Sequence, residues 1–246
     1  KYGPLLKNFY RKVDSYVGQV LEFADKDTTV MMMSDHGMGP LYGAFNVNVW
    51  LKKKGYLVLK KNAQSRVRST LFNLGMNPRN IYKGLTKVGL GWLAWKLPKN
   101  LRNKALKSTT LSFQDVDWSK TTAYSIGHFG NIVINLKGRQ PQGIVEPGEE
   151  CETLKKKIAA DLETVELPTG KTAKMSITYN EDIYSGPYVA NGPDITFNVN
   201  NYTYDTSYHF EFGSNKIFSE HLVSQSATHR REGIFLISGP QIKKGE

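Results

Sequence analysis

The chain of 246 residues carries 33 Lys and Arg against 22 Asp and Glu, a net charge of +11, with 39% hydrophobic residues, 11% aromatics and a single cysteine. That length suffices for one large folded unit or two small ones, and the composition is that of a folded domain, not a disordered tail. A disulfide framework is excluded, and so is a membrane-spanning helix, because no apolar run reaches the roughly 18 residues such a helix needs.

The first predicted element is a helix over 4–24, where Leu5, Leu6, Phe9, Val13, Tyr16, Val17, Val20 and Leu21 recur at helical spacing and Pro4 suits the first turn. "TTVMMMS" follows a short polar turn. It is apolar at consecutive positions, as expected of a parallel strand covered on both faces. "FNVNVWLKKKGYLVLK" reads as a helix from Asn46 to Lys54, stopped by Gly55, then a strand from Tyr56. Asn46 and Asn48 are expected to serve the start of that helix.

Residues 62–110 read as a basic helical insert broken by Gly75, Pro78, Gly84, Gly89, Gly91 and Pro98. "TTAYSIGHFGNIVINL" predicts two strands around a turn at 127–130, and 150–165 a charged helix with Leu154, Ile158, Leu162 and Val165 on one face. Cys151, in its first turn, is expected to be exposed. "AKMSITYN" and "DITFNVN" are strand candidates, "YTYDTSYHFEF" a hairpin or edge strand, and "GIFLISGP" a last buried strand. Alternation of strands and helices predicts an α/β fold.

Charge is unevenly spread. No Asp or Glu occurs between Asp35 and Asp115, whereas fifteen Lys and Arg fall there. Such a block attracts anions. The insert therefore has three readings: a plain solvated cap, a cap that steers phosphate esters, or an element whose Trp, Leu and Lys residues contact an anionic membrane surface. No nucleic-acid-binding motif is visible, so specific nucleic acid binding is not expected.

The chemistry-bearing stretch is "SDHGMGP". In α/β sheets functional residues gather at the carboxyl ends of strands, and Asp35 and His36 sit at such an end. A carboxylate oxygen beside an imidazole nitrogen suits zinc and also manganese. A second stretch, "THRREGIFLISGP", places His229 before another strand beside Gly and Pro.

In order, "SDHGMGP", the basic insert, "AYSIGHFGNIVINLKGR", "EDIYSGPY" and "THRREGIFLISGP" closely resemble the type I phosphodiesterase/nucleotide pyrophosphatase family of the alkaline phosphatase superfamily, in its cytoplasmic branch. The resemblance covers nearly the whole chain and is weakest in the insert. It implies an alkaline-phosphatase-like fold, with a mostly parallel sheet flanked by helices. Residues 1–61 and 111–246 would be part of the catalytic domain, and 62–110 the insert.

The resemblance also implies two divalent ions, usually zinc. Asp35 and His36 would be ligands of one and His229 of the other. The family's nucleophile and its remaining upstream ligands have no counterpart here. The chain, which opens without Met on "KYGPLLKNFY", is thus expected to be the C-terminal part of a catalytic domain, inactive alone and located in the cytoplasm. His128 and Arg230 are further candidates for contact with a phosphate-ester or nucleotide substrate, whereas His209 and His221 are read as structural. A phosphomonoesterase, phosphomutase or sulfatase-like member of the superfamily, and a binding protein without catalysis on the same fold, stay open as alternatives.

Overall fold

The computed structural model describes residues 2–92, 96, 98, 110–126, 130–206, 211–220 and 225–243. His128, His209 and His221 lie outside them. The chain divides into two compact units, 1–38 with 229–246, and 39–228.

In the first unit, α1 (Gly3–Leu21) forms as its periodicity predicts, with proline in its first turn. None of its residues is buried, however, and Leu5, Phe9, Tyr10 and Val20 are each more than half exposed. A turn follows in which the Asp25 carboxylate accepts the Thr28 hydroxyl at 2.6 Å and the Asp27 N–H at 3.0 Å. Strand β1 (Val30–Met33) then pairs antiparallel with β11 (Phe235–Ser238), Val30 opposite Ser238 and Met33 opposite Phe235. This corrects two expectations. "VMMM" is not a parallel strand covered on both faces, and "GIFLISGP" is not buried, since Met31, Met33, Phe235 and Leu236 are exposed. An unbroken apolar run does not by itself distinguish a strand covered on two faces from one that is open.

The second unit holds the core: every buried hydrophobic residue among those described lies between Leu41 and Phe212. Strands β2 (Gly37–Pro40) and β10 (Ala227–Arg230) pair and each straddle a boundary between the units; within the second unit follow β3 (Gly43–Phe45) and α2 (Val47–Lys54). Helix α2 buries Val47, Val49, Trp50 and Leu51, places Lys52, Lys53 and Lys54 at its negative end, and stops at Gly55, whose φ of 85° suits glycine. Helices α3 (Ala63–Asn73) and α4 (Pro78–Lys87) are the described helices of the insert. Each is capped by an asparagine: Asn62 accepts the Ser65 N–H and Asn77 accepts the Asn80 N–H.

Strands β4 (Ala123–Tyr124) and β5 (Asn131–Ile134) form the predicted pair, and β6 (Met175–Tyr179) and β7 (Ile195–Val199) form the longest ladder. Between them run α5 (Glu149–Glu163) and, after β6, the short α6 (Asn180–Ile183). With β8 (Tyr204–Asp205) and β9 (Phe218–Ser219) the sheet has seven strands, ordered β4-β5-β7-β8-β3-β9 with β6 also on β7. Among the described residues only β3–β8 is parallel in this sheet; the other pairs are antiparallel. The architecture is therefore mixed α/β, and the mostly parallel sheet expected from sequence is corrected. Short links such as that between β7 and β8 cannot make the crossover that parallel neighbours need.

Ile158 and Leu162 of α5 are fully buried, each worth about 1.5–3 kcal/mol. Cys151 lies on the same face and is buried, against expectation. Burial, followed by the nearby Asp194 carboxylate, pushes its thiol above the usual range. That environment disfavours the thiolate and hence nucleophilic chemistry.

Candidate metal centre

The site is built in the first unit, where the β1–β11 ladder ends. The pairing continues one step beyond the strands, because Ser34 N–H donates to the Ile234 carbonyl at 3.0 Å. Ile234 N–H in turn donates to the Ser34 hydroxyl at 2.8 Å. Ser34 thus ties the two chain segments together immediately before Asp35. Two glycines permit this approach. A Cβ on Gly233 would meet Ser34 Oγ at 2.6 Å, and one on Gly37 would overlap the Glu232 carbonyl oxygen. The glycine beside Asp35–His36 in "SDHG" therefore serves close packing of two backbones as much as turning the chain.

Against this frame the structure brings together three of the residues expected from sequence. His36 and His229 stack with ring centroids 3.8 Å apart and planes inclined by 27°. Asp35 Oδ2 lies 3.6 Å from His36 Nε2. His36 Nδ1 is 2.9 Å from the Gly37 carbonyl oxygen, which can only accept, so this contact favours the tautomer with the proton on Nδ1 and the lone pair on Nε2. Nε2 is the ring atom that faces the carboxylate. The Asp35 side chain is 90% exposed and that of His36 34%, so both can be reached from solvent.

Asp35 and His36 alone present a carboxylate oxygen and an imidazole nitrogen at a ligand-like spacing. Two ligands about 2.0–2.1 Å from a tetrahedral zinc ion stand roughly 3.3 Å apart, close to the separation observed. The set is partial, since no group of three or more His, Cys, Asp or Glu positioned to hold a metal occurs among the described residues.

Arg230 follows His229 on β10 and donates from Nη1 to the His229 carbonyl at 2.9 Å. Asn46 and Asn48, expected at the start of α2, do not cap it. Asn46 donates to the Lys216 carbonyl and to Ser219 Oγ. Asn48 exchanges two 2.8 Å bonds with the Ser125 backbone. They lock the second unit internally. The positioning residues missed from sequence are Ser34 and Gly233, whose signal was present as Ser before "DHG" and Gly before "IFLIS".

The family model for type I phosphodiesterase / nucleotide pyrophosphatase matches residues 1–197. The chain belongs to that family. The mixed α/β architecture is consistent with the alkaline-phosphatase-like fold of this phosphodiesterase family. Comparison with curated proteins and with solved structures gives no match. Asp35 and His36 fall inside the matched span of the family model, and His229 lies beyond its end.

Proposed function

We propose that this chain is part of a hydrolase of phosphodiester or nucleotide pyrophosphate bonds that works with two divalent ions, zinc in the first place and manganese as the alternative. The observation that carries this reading is the clustering of Asp35, His36 and His229 at one ladder end, in a chain of the phosphodiesterase family. Asp35 and His36 would hold one ion and His229 the other. Bound divalent ions supply charge neutralisation and Lewis acidity at phosphoryl oxygens.

The chain's own residues do the positioning. The Gly37 carbonyl holds the His36 ring with Nε2 as the donor atom. Ser34 and the two glycines fix where the Asp35–His36 dipeptide leaves the strand. The stacked His229 ring keeps the two imidazoles at a set spacing. Arg230, beside His229, would be the residue to contact a phosphate oxygen. No residue of this chain is assigned as the nucleophile, and the 246 residues alone are proposed to be inactive, as are a cytoplasmic location and a small phosphate-ester substrate for the full-length protein.

The test is hydrolysis of an aryl phosphodiester by the full-length protein with and without chelator, zinc or manganese. Turnover should be lost to chelator and restored by metal, and His229→Ala should lower it at least a hundredfold, on the order of losing a metal ligand's support. Activity of His229→Ala within about twofold of the parent would remove His229 from the ligand set, since loss of a ligand cannot be that small.

A further inference from the structure

The observations carry an interaction surface on the second unit that the hydrolase reading does not use. Helix α4 is held at one side by a single carboxylate: Arg79 Nη2 lies 2.7 Å from Glu220 Oε2, and Lys83 pairs with the same oxygen. At its end, Gly89 takes a φ of 77° and Leu90 N–H donates back to the Leu85 carbonyl at 2.8 Å. This is the six-to-one bond of a glycine-terminated helix. The chain turns there and presents Val88 at 66%, Leu90 at 41% and Trp92 at 52% exposure.

Cations surround this apolar turn. Lys87 precedes it and has no ion-pair partner among the described residues. Lys96 places its ammonium 5.2 Å from the Trp92 ring centroid. No acid occurs in the sequence between Asp35 and Asp115, and among the described residues Glu220 is the carboxylate that pairs with α4.

We propose that the α4 turn docks onto an anionic lipid surface, with Val88, Leu90 and Trp92 entering the headgroup layer and Lys87 and Lys96 reaching lipid phosphates. Aliphatic side chains at the tip have no counterpart on a nucleic acid, whereas a tryptophan flanked by lysines suits the boundary between water and acyl chains. A second copy is disfavoured as occupant because the same cations would face each other on a chain of net charge +11.

The test is flotation of the 246-residue chain with vesicles of phosphatidylcholine alone and with about one third phosphatidylglycerol. The chain should float with the anionic vesicles and stay behind with the neutral ones. Lys87→Gln should weaken partition about fivefold, the share of one cation at such a surface. Leu90→Asp with Trp92→Asp should weaken it about tenfold or more. These side chains are exposed, so an unchanged circular dichroism spectrum is expected and separates docking from misfolding. Helix α1 also exposes apolar residues, and Phe9→Asp with Val13→Asp should leave partition unchanged. Equal binding to neutral vesicles, loss only in the α1 variant, or binding to a single-stranded oligonucleotide in place of vesicles would each overturn the proposal.

Discussion

Asp115→Asn should destabilise the second unit by about 3–5 kcal/mol, the usual cost of breaking one side of a buried ion pair. The carboxylate is 1% exposed and its partner Arg68 10%. Oδ1 accepts from Ser65 Oγ at 2.8 Å and Arg68 Nη1 at 2.9 Å, and Oδ2 accepts the Ser112 N–H at 3.1 Å. Every group aimed at the carboxylate is a donor. Asparagine keeps the shape but removes the charge and turns one acceptor into an NH2 group. Whichever way the amide is set, that NH2 faces a donor, a mismatch worth about 1–3 kcal/mol that is contained in the total above. The Arg68 guanidinium on α3 is left with no anion in a nearly dry site. Urea unfolding followed by tryptophan fluorescence reads the loss as a lower midpoint at unchanged slope. Replacing both partners, Asp115→Asn with Arg68→Met, should recover part of the loss, because an apolar pair carries no stranded charge. A loss under about 1 kcal/mol for Asp115→Asn, the range of an exposed pair, would refute the reasoning.

Two further outcomes test other parts of the structure. Gly37→Ala should push the Asp35–His36 segment away from Glu232 by the order of 1 Å and cut the proposed phosphodiester hydrolysis by the full-length protein about a hundredfold, while Gly84→Ala on exposed α4, with open space at its Cβ, should leave it unchanged; equal activities would show that close approach at Gly37 does not set the proposed site. The Tyr56 hydroxyl, 2.5 Å from Asp161, holds that carboxyl below its usual range against partial burial, with Lys54 and Lys157 adding to the effect. The folded value is thus lower than the unfolded one, so this stabilisation is complete above about pH 4 and fades as pH falls through the folded value. Urea midpoints of Asp161→Asn and the parent should therefore differ at pH 7 and converge toward pH 3, and a gap that widened on acidification would reverse the assignment.

Periodicity made much of the fold readable. Helix α2 with its Gly55 stop, the β4–β5 pair around 127–130, and α5 all declared themselves through spacing and glycine placement. Strand direction did not, because it depends on which strands become neighbours rather than on the strands themselves. The burial of Cys151 was readable only after the fact. Cys151, Lys155, Ile158 and Leu162 share one helical face, but a lysine in that stripe disguises it. Lys155 is tolerated there because Glu152 and Glu181 lie 2.8 and 2.5 Å from its ammonium. Asn46 and Asn48 misled for a related reason: at a helix start asparagine reads as a cap, yet both side chains reach residues far along the chain.

The site illustrates how unevenly sequence speaks of function. Asp35, His36 and His229 are residue types that can bind a metal, and the sequence presents them as candidates. What places them near one another is main chain: a ladder in register from Val30 to Ser34, continued by the Ser34 hydroxyl onto Ile234, with two glycines at the crossing. A shift of one residue in that register would send Asp35 and His36 to the opposite sides of the strand. The spacing of these side chains is therefore a consequence of backbone contacts between segments some 200 positions apart. If Asp35 and His36 share one ion, as proposed, the same contacts set the position that any further donor would have to meet. Ser34, Gly37 and Gly233 offer no metal-type side chain, yet their contacts set where the Asp35–His36 segment runs.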